Sequence, residues 1–309
     1  MTMTFESGLS FLGGFTMTAA LPPQNTAGWF GGGYALSTVQ RITYATDTAT
    51  ASVRGPLSGA RRYLATASNF TDGWFGGGGP GPFSTVNRIT YATDTATASV
   101  RGPLSLARYG LAAAGNSDYG WFGGGSPGPV STVDRITYAT DTATASVRGP
   151  LSAGRYLLAA AGNNDYGWFG GGRPSTSTVD RITYATDTAT ASVRGPLSLA
   201  RRALAAAGNT TDAWFGGGYI QSTSSDTSRV DRITYATDTA TASVRGPLSL
   251  GRQFLAAAGN FTDGWFGGSG NPDRSTVDRI TYATDTATAS VRGPLSVASG
   301  RLAAAGGTQ

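Results

Sequence analysis

The sequence predicts an all-β fold in which six copied four-stranded sheets are wrapped into a closed ring. Three observations carry this expectation. Eighteen residues, Arg41 to Ser58, return without a change at Arg88, Arg135, Arg181, Arg232 and Arg279, giving steps of 47, 47, 46, 51 and 47 residues. A period of that size marks one supersecondary unit repeated as an array. Each unit holds several short segments rich in Thr, Val, Ile, Tyr, Trp and Phe, the residues that suit a pleated surface. The count is also offset: the array starts on a Trp-Phe piece and ends on a Leu-Ala piece, so the two ends complement each other.

Residues 1–28 stand outside the clean repeat and read as an N-terminal arm or a degenerate partial repeat; residues 29–309 form the array. Each unit of the array has four pieces. The first is Trp-Phe-Gly-Gly, at Trp29, Trp74, Trp121, Trp168, Trp214 and Trp265. Adjacent large apolar residues on a strand point to opposite faces, so this piece demands burial on both sides, as between stacked sheets. The second piece is Ser-Thr-Val-x-Arg-Ile-Thr-Tyr, as in Ser131–Tyr138, and the third Thr-Ala-Thr-Ala-Ser-Val-Arg, as in Thr142–Arg148. An Asp-Thr reversal separates them, and Gly-Pro-Leu-Ser terminates the third.

The fourth piece is a Leu followed by small residues, as in Leu158–Gly162. Taken alone, Ser198–Gly208 reads as a helix, with a Ser cap, strong helix formers and a closing Gly. Glycines interrupt other copies, at Gly110, Gly154 and Gly300. Three neighbouring strands also leave an open edge that a fourth would complete, so we assign a strand. The last copy, Leu302–Gly306, is then the innermost strand of the sheet begun by Trp29, and it closes the ring without a free edge.

Composition excludes much chemistry. The chain has no Cys or His, all 23 basic residues are Arg, and Glu6 is the only Glu. Disulfides, imidazole catalysis, a lysine Schiff base and a Walker-type phosphate loop are therefore unavailable. No metal, cofactor or catalytic set is expected. The net charge of +5 is spread over the repeats, which does not point to nucleic acid. No apolar run of about 18 residues predicts membrane insertion, and the N-terminus lacks the basic region of a secretory signal, so no cleaved signal peptide is expected.

Four short strands per unit, six times over, resemble a β-propeller. The motif order is similar to the kelch family: Arg155, Leu158–Ala161, Trp168–Gly171, Tyr184, Asp187 and Thr190 fall in that family's order. Ala185 and Val193 depart from it, standing where kelch repeats place Asp and, nearby, Trp. The resemblance covers residues 29–309 and implies a six-bladed propeller of kelch-like blades closed by a C-terminal innermost strand.

Four sets of residues are candidate sites. Asp47 and Arg54, with their copies, make poor acid–base pairs, because six identical pairs lack the asymmetry of an active site; they read as a turn-capping Asp and an interblade Arg. Arg61, Arg108, Arg155, Arg201 and Arg252 lie three residues before the inner-strand Leu; Ser299 takes that place in the sixth copy, with Arg301 nearby. They can form a ring at one mouth of the channel that binds an acidic partner, or they can brace blades. The loops after the Gly pair vary most and should share a face with these arginines, where specificity can reside. Asn116–Gly120 and Asn260–Gly264 read as tight turns, since neither spacing fits a calcium loop.

The near-identical blades, Arg without Lys and the absence of Cys and His resemble repeat proteins on tailed-bacteriophage particles. That resemblance implies a non-enzymatic structural or adhesive virion protein, assembled in the host cytoplasm. Its partners would be other virion proteins, reached through residues 1–28. The alternative is a carbohydrate-binding propeller lectin that takes a host surface glycan.

Overall fold

The structure, a computed structural model, describes residues 26–306. It consists of six four-stranded antiparallel sheets around an axis, a six-bladed β-propeller. The five blades formed from consecutive sequence run from axis to rim as Ala65–Ser68, Asp72–Gly76, Val86–Thr90 and Ser99–Arg101 do in blade II. Blade I is completed across the chain termini: Ala303–Ala305 pairs with Ala27–Gly31, which pairs with Val39–Thr43 and then Ser52–Arg54. The register Trp29↔Ala305 and Gly31↔Ala303 is the closure expected from the offset in the count. Of the arm expected over residues 1–28, residues 1–25 lie outside the described residues, and Ala27 and Gly28 belong instead to the first strand, pairing with Thr43 and Ile42.

The Trp-Phe strands fulfil the two-sided burial that their sequence demands. Phe75 and Trp74 are 0% and 1% exposed. The tryptophan faces the following blade, where Trp74 stacks on Tyr138 at 3.7 Å. The phenylalanine faces the preceding one, resting over Gly31, where an added Cβ would stand 2.8 Å from the Phe75 ring. Sheets can approach this closely because the glycine ending each Trp-Phe strand has no side chain. Small residues serve the same end at the axis, where Thr66, Ala113, Ala160, Ala206, Ala257 and Ala304 line a narrow channel.

The alanine-rich pieces are strands in every blade, not helices, because each pairs with the Trp-Phe strand beside it. The third piece is shorter than its pattern. In blade III only Ser146–Arg148 is strand, and the preceding residues turn, starting with a 3-10 turn at Tyr138–Thr140. Blade V carries an additional hairpin, Tyr219–Ile220 with Ser225–Asp226, in its longest loop.

Candidate functional site

The repeated ionic residues are consumed in the joints between blades. Asp141 of blade III accepts hydrogen bonds through Oδ2 from Trp74 Nε1 at 2.8 Å and Arg88 Nη1 at 3.0 Å, both in blade II. Arg101 Nε, from the same blade, lies 3.5 Å from that oxygen. The same arrangement recurs around the ring, and Asp47 closes it by receiving Trp265, Arg279 and Arg292 of blade VI. The expected interblade Arg is found. The Asp differs from its expected turn-capping role: its carboxylate reaches across to the neighbouring blade. Gly102 N donates to Asp141 O at 2.8 Å, and a Cβ on Gly102 would lie 1.9 Å from Ala143 O.

The arginines expected to ring the channel mouth are placed inside the blades. Arg61, Arg108, Arg155, Arg201 and Arg252 are 0–4% exposed. Arg108 donates to the carbonyls of Gly124, Thr132 and Phe122 and to Asp134 at 3.0 Å, all within blade III. Each of the five therefore ties the two middle strands of its own blade together, and no guanidinium of this set is offered to a partner. Burial lowers the pKa of each, to about 10 for Arg61 and Arg201, and where an Asp is present it opposes the fall.

The partners of these arginines were not picked out in the sequence. They occupy the variable position of Ser-Thr-Val-x-Arg-Ile: Asp134, Asp180, Asp231 and Asp278 pair with Arg108, Arg155, Arg201 and Arg252. Asn87 serves Arg61, and in blade I, where Ser299 stands at the Arg position, Gln40 fills the acid position and accepts from Ser296 Oγ and Val297 N. The signal was available: the one unit that loses the Arg also loses the acid. A buried carboxylate without its cation is costly, so the acid is not kept where the Arg is lost, whereas blade II keeps Arg61 against a neutral Asn87.

The channel mouth is built from the residue two places after each inner Arg: Tyr63, Gly110, Leu157, Ala203 and Phe254, with Arg301 in the sixth copy. All six have positive φ, between 57° and 69°. Their backbones form a closed circle in which each N–H donates to the carbonyl of the preceding member, Tyr63 donating to Arg301, at 2.6–2.8 Å. The cavity behind this circle holds about 120 Å³. Arg301 is the only member of the predicted set at the mouth. Its Nε donates to Tyr63 Oη at 2.9 Å and its Nη2 to Asn271 Oδ1 at 3.1 Å, while its guanidinium lies 5.1 Å from the Phe254 ring centre.

The variable loops do share a face with the loops that bear these arginines. The two sets are joined by backbone pairs, Arg62↔Gly79, Tyr109↔Ser126, Tyr156↔Arg173, Arg202↔Tyr219 and Gln253↔Gly270. Tyr34, Phe83, Leu106 and Leu250 are exposed there. On the opposite face, Asn116 and Asn260 close tight turns by accepting backbone N–H groups two and three residues on, as expected, and Asn69, Asn163 and Asn209 do the same.

No family model matches the chain, and no curated protein matches it. Among solved structures it is similar to one titled "Structure of YjhT", with a TM-score of 0.69 and 13% identity over 88% of this chain and 98% of that one. At that identity the likeness is one of fold, and the fold is a propeller.

Proposed function

We propose that this chain is a non-enzymatic adhesive propeller that recognises its partner through the variable-loop face. The observation that carries this reading is where variation lies. The Arg and Asp of the eighteen-residue stretch are engaged in joints between blades, the inner Arg in braces within them, and the loops that differ among units all open on one side. A scaffold held constant beneath one varied surface is the arrangement of a binding module. Acid–base catalysis is disfavoured because the repeated carboxylates are already engaged by Trp and Arg donors.

The kelch-like motif order and the likeness to repeat proteins of tailed phages complete the reading, which sets the propeller on a virion as a structural or host-attachment component. Mass spectrometry of purified particles tests the setting: the chain is expected at fixed stoichiometry, and its presence only in free cell extract overturns it. Recognition is tested by cell attachment. Replacing the 219–226 hairpin by the short loop of blade IV is expected to weaken attachment, whereas Val147→Thr on the rim leaves it unchanged. Equal attachment by both variants would refute recognition by this face. A lectin is the second reading, favoured by the tyrosines and neutral polar residues of the same loops.

A further inference from the structure

The charges of this molecule are sorted by place. Of its 23 arginines, five are the buried braces and twelve belong to the interblade joints. The other six, Arg62, Arg173, Arg202, Arg229, Arg274 and Arg301, all stand on the variable-loop face. Only Asp226 and Asp273 oppose them there as partly or fully exposed acids. Blades outside this face balance their charge locally, so the face carries most of the net +5.

Four of the six are stacked on aromatic rings. Arg62 lies over Tyr34 at 4.6 Å, Arg202 over Tyr219 at 4.6 Å, Arg173 over Tyr156 at 5.7 Å and Arg301 over Phe254 at 5.1 Å. Two of these pairs occupy the same backbone bridge in opposite order. In blade IV the tyrosine is on the loop entering the inner strand and the arginine on the variable loop; in blade V the positions are exchanged. The same Arg–Tyr contact is thus made from either side of the bridge in two of the five blades that carry it.

A guanidinium laid on an aromatic ring is held in one plane, and the N–H groups it leaves free there can receive a carboxylate through two parallel hydrogen bonds. Among the described residues, Arg62 and Arg173 donate no side-chain hydrogen bond, Arg202 commits Nη1 to Gln221, and Arg301 is tied to Tyr63, Asn271 and Asp273, so Arg62, Arg173 and Arg202 are the ones that can take a ligand. Resting on the recognition reading above, we propose that the ligand of this face is an acidic polysaccharide whose sugar rings carry carboxylates. Several such arginines around one mouth match a polymer with charges at intervals. Neutral donors and acceptors beside them, Gln221, Thr223, Ser225 and Asn271, match sugar hydroxyls. Nucleic acid fits less well, because the arginines already cover tyrosine faces on which bases would stack.

The test is binding of the full chain to polygalacturonate, its methyl ester, polyglutamate and single-stranded DNA, at low and high salt. Polygalacturonate is expected to bind, with at least about tenfold loss on esterification, on adding salt, and in Arg202→Ser. Arg202→Lys keeps the charge but not the planar fork, and is also expected to lose about tenfold. Unchanged thermal midpoints verify that these variants fold, and Val147→Thr binds as the parent does. Equal binding of the methyl ester overturns the charge assignment while leaving recognition of sugar by this face intact. Equal or tighter binding of polyglutamate or DNA overturns the polysaccharide assignment. Binding of none overturns the proposal, and cell attachment then decides separately whether the face recognises anything.

Discussion

Arg108 and Asp134 are both fully buried, and the carboxylate is tolerated there because the guanidinium pairs with it. Removing one member of such a pair strands a charge, whereas removing both leaves a neutral site. Arg108→Ser is expected to lower unfolding free energy by about 3–5 kcal/mol. Arg108→Ser with Asp134→Gln, which reproduces the Ser299 and Gln40 of blade I, is expected to recover more than half of that loss. Denaturant titration of the three proteins decides it, and a double variant no better than the single one would show that the pair is not coupled.

Blade II poses the converse case, since Arg61 faces Asn87 in place of a carboxylate. Asn87→Asp is expected to raise stability by about 1–2 kcal/mol through a charge-assisted hydrogen bond. The pH dependence gives a second reading. Burial lowers Arg61 from the usual guanidinium range to about 10, so between about 10 and that range the unfolded chain binds more protons than the folded one. Stability contributed by this group therefore rises with pH across that window, its burial cost being fully present below pH 10. In the Asn87→Asp variant, where the new carboxylate favours the charged Arg, this rise should shrink, as measured by unfolding at alkaline pH.

At the scale of the element, the joint between blades depends on an absent side chain as much as on those present. Gly102 follows the rim strand of blade II and meets the turn of blade III with no room for a methyl group. Gly102→Ala must push the two blades apart and strain the Asp141 joint, at a cost of about 3 kcal/mol or more. Gly81, in a variable loop with open space around it, supplies the control. Gly81→Ala should change stability by less than about 0.5 kcal/mol. Thermal unfolding of the two variants measures the difference. The contrast separates glycines required by close approach from glycines that merely occupy a loop.

For the whole molecule, closure is the decisive event, because the last strand joins the two ends of the chain. Removing residues 302–309 deletes the inner strand of blade I and exposes an edge at Phe30. It also leaves Arg301, which closes the backbone circle at the mouth, without its flanking strand. The truncated chain is expected to unfold at lower temperature and to self-associate through the open edge, as read by scanning calorimetry and light scattering. A monomeric truncation with an unchanged midpoint would mean that the other five blades hold the ring unaided.

Much of this architecture was legible beforehand. The eighteen-residue copies announce six units, the Trp-Phe doublets announce sheets buried on both faces, and the offset count announces which piece completes which blade. These features are written along the chain because periodicity and residue type decide which faces avoid water. The identity of each contact was not. Ser198–Gly208 has helical propensity, and pairing with Trp214 and its neighbours overrides it. Arg108 looks the same in sequence whether it lines a mouth or fills a blade, and Asp141 does not reveal that its partners lie 53 and 67 residues away. The sequence by itself determined the number, order and closure of the sheets. Which charges were buried, and which six arginines remained to face outward, was decided only when folding brought distant segments together, because burial and pairing belong to neighbours in space.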